Sequence, residues 1–179
     1  MRVSVLSSTD PLLRSITALS LSDICPILTV DLDEAGTTLT YSTGFDESTT
    51  RVPLAHSCIT CSLREAIIPF LLEREPENVV VVLPPTIESA TVVPRFADDV
   101  AGLGWEVASA VHVCDLATIA DELLSHVTLE ERGLAFFEGD ERCVGEIQLV
   151  GIGYSDVIVA VGDDDAALEL VEHFRPHDS

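Results

Sequence analysis

The run His56-Ser57-Cys58-Ile59-Thr60-Cys61 places one imidazole and two thiols within a single short segment. Two thiols three residues apart reach one soft metal ion as thiolates, or oxidise to a disulfide. Zinc suits such donors, with Cys58 and Cys61 as ligands and His56 as a third. A closed zinc site takes four ligands, so this set is short. Three readings stand for the pair: a metal site, a redox switch, or two small apolar side chains packed at a helix start. His56 reads equally as a solvated loop residue. Ser62 and Glu65 have capping-box spacing, which predicts a helix from Ser62 with both thiols just outside its N-terminus. There the helix dipole lowers thiol pKa. Cys25, Cys114 and Cys143 fit core positions, and His112, inside a strand, fits a hydrogen-bonded core histidine. His173 and His177, near the end, read as solvated.

Other chemistries lack their residues. The nine cationic residues are all arginine, and a Walker loop needs a lysine to reach the β- and γ-phosphates. Arg14 or Arg64 would have to replace it, and a guanidinium is a poor substitute in so tight a loop. No G-x-S-x-G elbow is present, and Cys58 with His56 lacks an orienting third group. The net charge of −22 is spread along the chain, which repels phosphate backbones and disfavours direct nucleic-acid binding. Partners are therefore expected to be proteins; a homodimer stays open. No apolar run approaches the ~18 residues of a membrane span, and no signal peptide is evident. Five cysteines, an odd number, suit reduced thiols in a cytoplasm.

The elements that must hold the cysteine segment alternate. Strands are predicted at 2–7, 26–32, 78–83, 105–113 and 156–161. Helices are predicted at 11–21 behind a cap at Thr9 or Asp10, from Ser62 to Arg74 with a kink at Pro69, at 92–103, 116–124 and 141–152, and from a cap within Asp163–Asp165 to about 174. The threonine-rich stretch 33–53 reads as a β-hairpin. The strands are apolar on both faces, so the expected fold is a doubly wound, mostly parallel α/β sheet with helices on both faces. One domain over 1–176 is expected, with 177–179 a frayed tail.

Ser57-Cys58-Ile59-Thr60-Cys61 resembles the G-C-x-C-C hallmark of the CobW-like family of GTPase-fold metallochaperones, with Thr60 at the middle cysteine. Ala110-Val111-His112-Val113-Cys114-Asp115 is similar to the family's strand ending in a V-V-D-A type turn. The stretch from Arg142-Cys143-Val144-Gly145-Glu146 to Ser155-Asp156-Val157-Ile158-Val159 is similar to its helix and strand before the guanine-reading loop. The resemblance covers nearly the whole chain as an N-terminal domain, with the family's C-terminal domain absent. It implies a GTPase-like fold and a metal site with an upstream carboxylate, for which Asp31, Asp33 and Glu34 are the candidates. The nucleotide motifs depart together. Leu6-Ser7-Ser8-Thr9-Asp10-Pro11 stands at the phosphate loop, Leu83-Pro84-Pro85-Thr86 at the switch, and Val161-Gly162-Asp163-Asp164 at the guanine loop. A degenerate loop and no GTP hydrolysis are expected. A similar branch of the family is linked to zinc limitation and to ribosome remodelling, so the resemblance implies a non-catalytic, zinc-responsive chaperone or adaptor.

Overall fold

The computed structural model describes residues 1–33, 35–44, 46–54, 58–136 and 139–175. Seven strands form one sheet: β1 (Arg2–Ser8), β2 (Ile27–Asp33), β3 (Gly36–Thr43), β4 (Asp46–Val52), β5 (Asn78–Val82), β6 (Glu106–Asp115) and β7 (Val157–Val161). Their spatial order is β4-β3-β2-β5-β1-β6-β7. The five strands from β2 to β7 in that order run parallel, and β3 and β4 add antiparallel to β2. The stretch 33–53 is thus the expected hairpin, and it widens the sheet at one edge. Gly36 makes the β2–β3 turn possible: its φ is 154°, and a Cβ there would lie 2.4 Å from the Val52 carbonyl oxygen. The edge strand β4 is exposed on both faces and carries Asp46, Glu47 and Arg51, which blunts pairing with another sheet.

The helices are α1 (Pro11–Leu21), α2 (Ile59–Arg74), α3 (Ser89–Ala101), α4 (Ile119–Leu123), α5 (Val144–Tyr154) and α6 (Asp165–Phe174). Asp10 caps α1, with Pro11 at its first position, and Asp164 caps α6. α4 is only a short turn of the 116–124 helix predicted, and α5 starts three residues later than expected, where the Cys143 N–H donates to Glu146 Oε2 at 2.9 Å. α2 runs through Pro69 and ends at Glu75, whose φ of 45° is left-handed.

The main core lies between the sheet and α2 and α3. Val3, Val5, Leu28, Val30, Val79 and Val81 meet Leu63, Ile67, Leu71, Val92 and Phe96 there. α5 and α6 continue this layer over Cys114, Ile158 and Ala160. On the opposite face, α1 lays Leu13, Ala18 and Leu21 over Leu6, Ile27, Val82 and Val113. Alternation along β6 divides the faces: His112 and Cys114 point one way, Val111 and Val113 the other. Among the described residues, no helix is long and apolar enough to cross a membrane.

Candidate functional site

The cysteine pair sits at the start of α2, and the helix begins earlier than its capping signature suggested. Cys58 is the N-cap and Cys61 lies in the first turn. Ser62 is buried inside the helix and donates its N–H to the Cys58 carbonyl at 2.9 Å. The physical reason is Ile59, which packs against the main core and draws the first turn inward before Ser62 is reached. The thiols are therefore part of the helix start rather than ahead of it.

Cys58 is exposed and Cys61 partly so, and their two sulfurs lie 2.8 Å apart. Thr60 Oγ1 lies 3.4 Å from Cys58 Sγ. The hydrogen bond with Cys58 pushes the Cys61 thiol pKa up, helped by burial and by the charge of Cys58; Arg64 and Thr60 pull it back. For Cys61 this direction is opposite to the lowering expected at a helix start. Two thiolates on one tetrahedral zinc lie roughly 3.8 Å apart, from Zn–S bonds of ~2.3 Å. If zinc were held by both sulfurs, the pair would have to open from 2.8 Å and each thiol would give up its proton.

The further ligands named from the sequence are placed elsewhere or fall outside the described residues. Asp33 is tied to its own turn, accepting from the Ala35 and Gly36 N–H groups and binding Arg51 through both oxygens. Those contacts hold its carboxyl below the usual range. Asp31 faces α1 and pairs with Arg14 at 3.0 Å. His56 and Glu34 lie outside the described residues. No group of three His, Cys, Asp or Glu side chains able to hold a metal occurs among the described residues. Cys58 and Cys61 fit an open two-thiolate site that would take its remaining ligands from elsewhere.

At the carboxyl ends of the strands, where open α/β sheets take their ligands, side chains of the chain itself occupy the ground. Asp10 Oδ1 accepts from the Leu12 and Leu13 N–H groups at 2.7 and 3.0 Å. A carboxylate thus sits on the helix N-terminus that would otherwise attract a phosphate. Arg14 is buried; it donates to the Leu83 and Val30 carbonyls at 2.6 and 2.7 Å and pairs with Asp31. Burial lowers its pKa while Asp31 supports its charge. Arg64 is paired with Asp99. Both arginines offered in place of a phosphate-loop lysine are thus held by carboxylates of the chain.

Two clusters here were not foreseen as units. In the first, Ser7 Oγ is 3.1 Å from His112 Nδ1, and His112 Nε2 is 2.7 Å from Gln148 Oε1. Gln148 Nε2 then donates to Thr9 Oγ1 and to Glu122. The histidine is satisfied in the core, as its strand position suggested, and burial holds its pKa down. The space between Ser7, Ile87, His112 and Gly151 has no volume a water could occupy. In the second cluster, Thr86 is buried with a left-handed φ of 65°, donating from its N–H to Ser8 and from Oγ1 to Leu134. Arg142 reaches the Thr86 carbonyl while held by Glu88 and the buried Asp140. Arg142 in turn keeps the Asp140 carboxyl below its ordinary pKa. The partners are 56 positions apart in sequence in one case and 105 in another; only the polar residues inside apolar runs hinted at them.

No protein-family model matches the chain, and no curated protein matches it in sequence. Solved structures do share the fold. The Zn(II)-bound YjiA GTPase from E. coli superimposes with a TM-score of 0.58 at 12% identity, over 98% of this chain and 56% of that one. A Zn(II)-bound triple mutant YjiA GTPase gives the same values. At this identity the likeness shows the fold alone: a GTPase-like, mostly parallel α/β sheet, as the resemblance to the CobW-like family implied. The chain spans little more than half the length of those proteins.

Proposed function

We propose that this chain is a non-catalytic, CobW-like, zinc-responsive chaperone or adaptor domain that binds zinc through Cys58 and Cys61. The observation that carries the reading is the pair itself: two sulfurs 2.8 Å apart on an accessible helix start, one of them exposed. Core packing explains Cys114, which is buried with its thiol pKa pushed up to about 11; it does not explain an exposed Cys58. The fold likeness to a Zn(II)-bound GTPase supports the same direction. Two thiolates without a closed cage suit reversible binding, as a sensor or donor requires, with His56 or a second chain completing the ligand set. The setting proposed is a reducing cytoplasm under zinc limitation, with ribosome contact made through protein because the acidic surface repels RNA.

The test is zinc competition with a chromophoric chelator on the reduced protein. One zinc per chain or per two chains is expected, and serine replacement of Cys58 and Cys61 should abolish it with the fold intact. Unchanged metal content in the double variant would sink the proposal. Residual GTP binding is the second reading, favoured by the fold of its neighbours; Asp10 on the α1 N-terminus and the absence of lysine oppose it.

A further inference from the structure

α1 is apolar on both sides. At ~100° per residue, Arg14, Ala18 and Leu21 face the sheet, while Leu12, Ile16 and Leu19 fall on the opposite side within an arc of about 60°. These three are 68, 51 and 73% exposed, and Ile24 just beyond is 79% exposed. The only charged side chain on α1 is Arg14, which points inward. An amphipathic surface helix turns charge to water; one that is apolar all round belongs in an interior.

The rest of that face is open too. Seven strands at ~4.8 Å spacing span about 29 Å, and one helix covers ~10 Å of that width. α1 is the only helix packed on this face among the described residues. Beside α1, over β2 and β3, lies a cavity of about 460 Å³ lined by Ser15, Leu19, Thr29 and Thr40, with the carboxylates of Asp31 and Glu47. On the other side Val157 and Val161 of β7 remain exposed.

We propose that α1 and the adjoining cavity dock an amphipathic helix of a partner protein. Its apolar stripe lies along Leu12, Ile16 and Leu19, and its flanking lysines or arginines reach Glu47, Asp10 and Asp23. Charge selects this occupant. The stripe is framed by Asp10 and Asp23 at the two ends of α1 and by Glu47 in the cavity, while Asp31 there is paired with the buried Arg14. A second copy brings another −22 of charge, no lysine, and nine arginines, of which Arg2, Arg14, Arg51, Arg64, Arg132 and Arg142 are already paired with carboxylates. Nucleic acid meets the same repulsion. The inference does not depend on zinc, since the cysteine pair lies with the other layer of helices.

The experiment uses a fluorescent peptide of about 18 residues, five helical turns, built of leucine and lysine in amphipathic order, with a shuffled peptide of the same composition as control. Anisotropy should show saturable binding to the full chain about tenfold or more tighter for the ordered peptide. Leu12→Asn with Leu19→Asn, at exposed positions and without change of charge, should weaken it about tenfold or more. Glu47→Gln should weaken it further and lessen its salt dependence, and the Cys58→Ser, Cys61→Ser variant should bind normally. Equal binding of the shuffled peptide, or no loss in the asparagine variant, would overturn the proposal. So would a concentration-dependent dimer in sedimentation that the asparagine variant abolishes, which would assign the face to a second copy.

Discussion

Gly151 and Gly153 occupy the same helix and should respond to alanine in opposite directions. An ideal Cβ on Gly151 would lie 2.4 Å from both Cε1 and Nδ1 of His112, while one on Gly153 meets nothing nearer than the Phe174 carbonyl at 4.0 Å. The imidazole has nowhere to retreat, because Ser7 holds one ring nitrogen and Gln148 the other. Overpacking of this kind costs about 1–3 kcal/mol, and displacing the ring forfeits at least one hydrogen bond of ~1 kcal/mol. Alanine returns ~1 kcal/mol of helix propensity at either site. Gly151→Ala should therefore lose about 2 kcal/mol net, and Gly153→Ala should gain up to about 1 kcal/mol, a gap of roughly 3 kcal/mol. Urea unfolding of the two variants side by side measures it. Adding His112→Ala to Gly151→Ala should cost less than the sum of the two, by about 1 kcal/mol or more, because the clash vanishes with the ring. If Gly151→Ala is as stable as Gly153→Ala, the packing of α5 on β6 described above is wrong.

Burial keeps His112 neutral in the folded protein, whereas the unfolded chain takes up a proton below about pH 6.5. The depressed folded pKa makes its contribution complete above that pH and lost below it, with a slope approaching about 1.4 kcal/mol per pH unit; urea midpoints between pH 4.5 and 7 should show this part of the slope vanish in His112→Gln. Asp10→Ala removes the cap on α1 and should cost about 0.5–2 kcal/mol, with Asp10→Asn nearly neutral; equal losses in both would show that charge rather than capping matters. Arg14→Ala leaves the Leu83 and Val30 carbonyls without their buried donor and should cost about 3 kcal/mol, read from the urea midpoint; a loss under about 1 kcal/mol would mean water replaces the guanidinium.

The layer order was legible because burial on both faces writes itself into continuous apolar strands such as Val79–Val82, and because Asp10-Pro11 and Asp164 mark helix starts in local chemistry. The start of α2 was misplaced for the converse reason. Ser62 and Glu65 have the right spacing, but the tertiary contact of Ile59 decides the boundary, and no local rule contains it. The cysteine spacing announced a pair and the structure brings the sulfurs together. The raised pKa of Cys61 follows from that contact, which depends on side-chain directions that spacing alone leaves open. The diversion of Asp31 to Arg14 was likewise invisible, since Arg14 reads as a surface residue until α1 is laid on the sheet. Its buried position is what places the exposed stripe of α1 on the outside.

The groups that fill the strand ends bear directly on nucleotide binding. A bound phosphate needs the N–H groups of Leu12 and Leu13, which already serve Asp10, and an inserted ligand would have to part Thr86 from Ser8 and Arg142. Because these donors and acceptors satisfy one another, the fold does not require a ligand there. A protein that did bind GTP at 100 times its Kd would gain about 2.7 kcal/mol, which for a domain of this size raises Tm by roughly 5–10 °C. Millimolar GTP with magnesium is expected to leave Tm unchanged to within about 1 °C, well inside what that gain would produce. A dose-dependent rise would mean that Asp10 yields the helix end to phosphate, and a further rise with Asp10→Ala would identify that carboxylate as the competitor. Zinc, tested in the same scan under reduction, should raise Tm in the wild-type chain and not in the serine variant; a rise in both would mean that the cysteine pair is not where zinc binds.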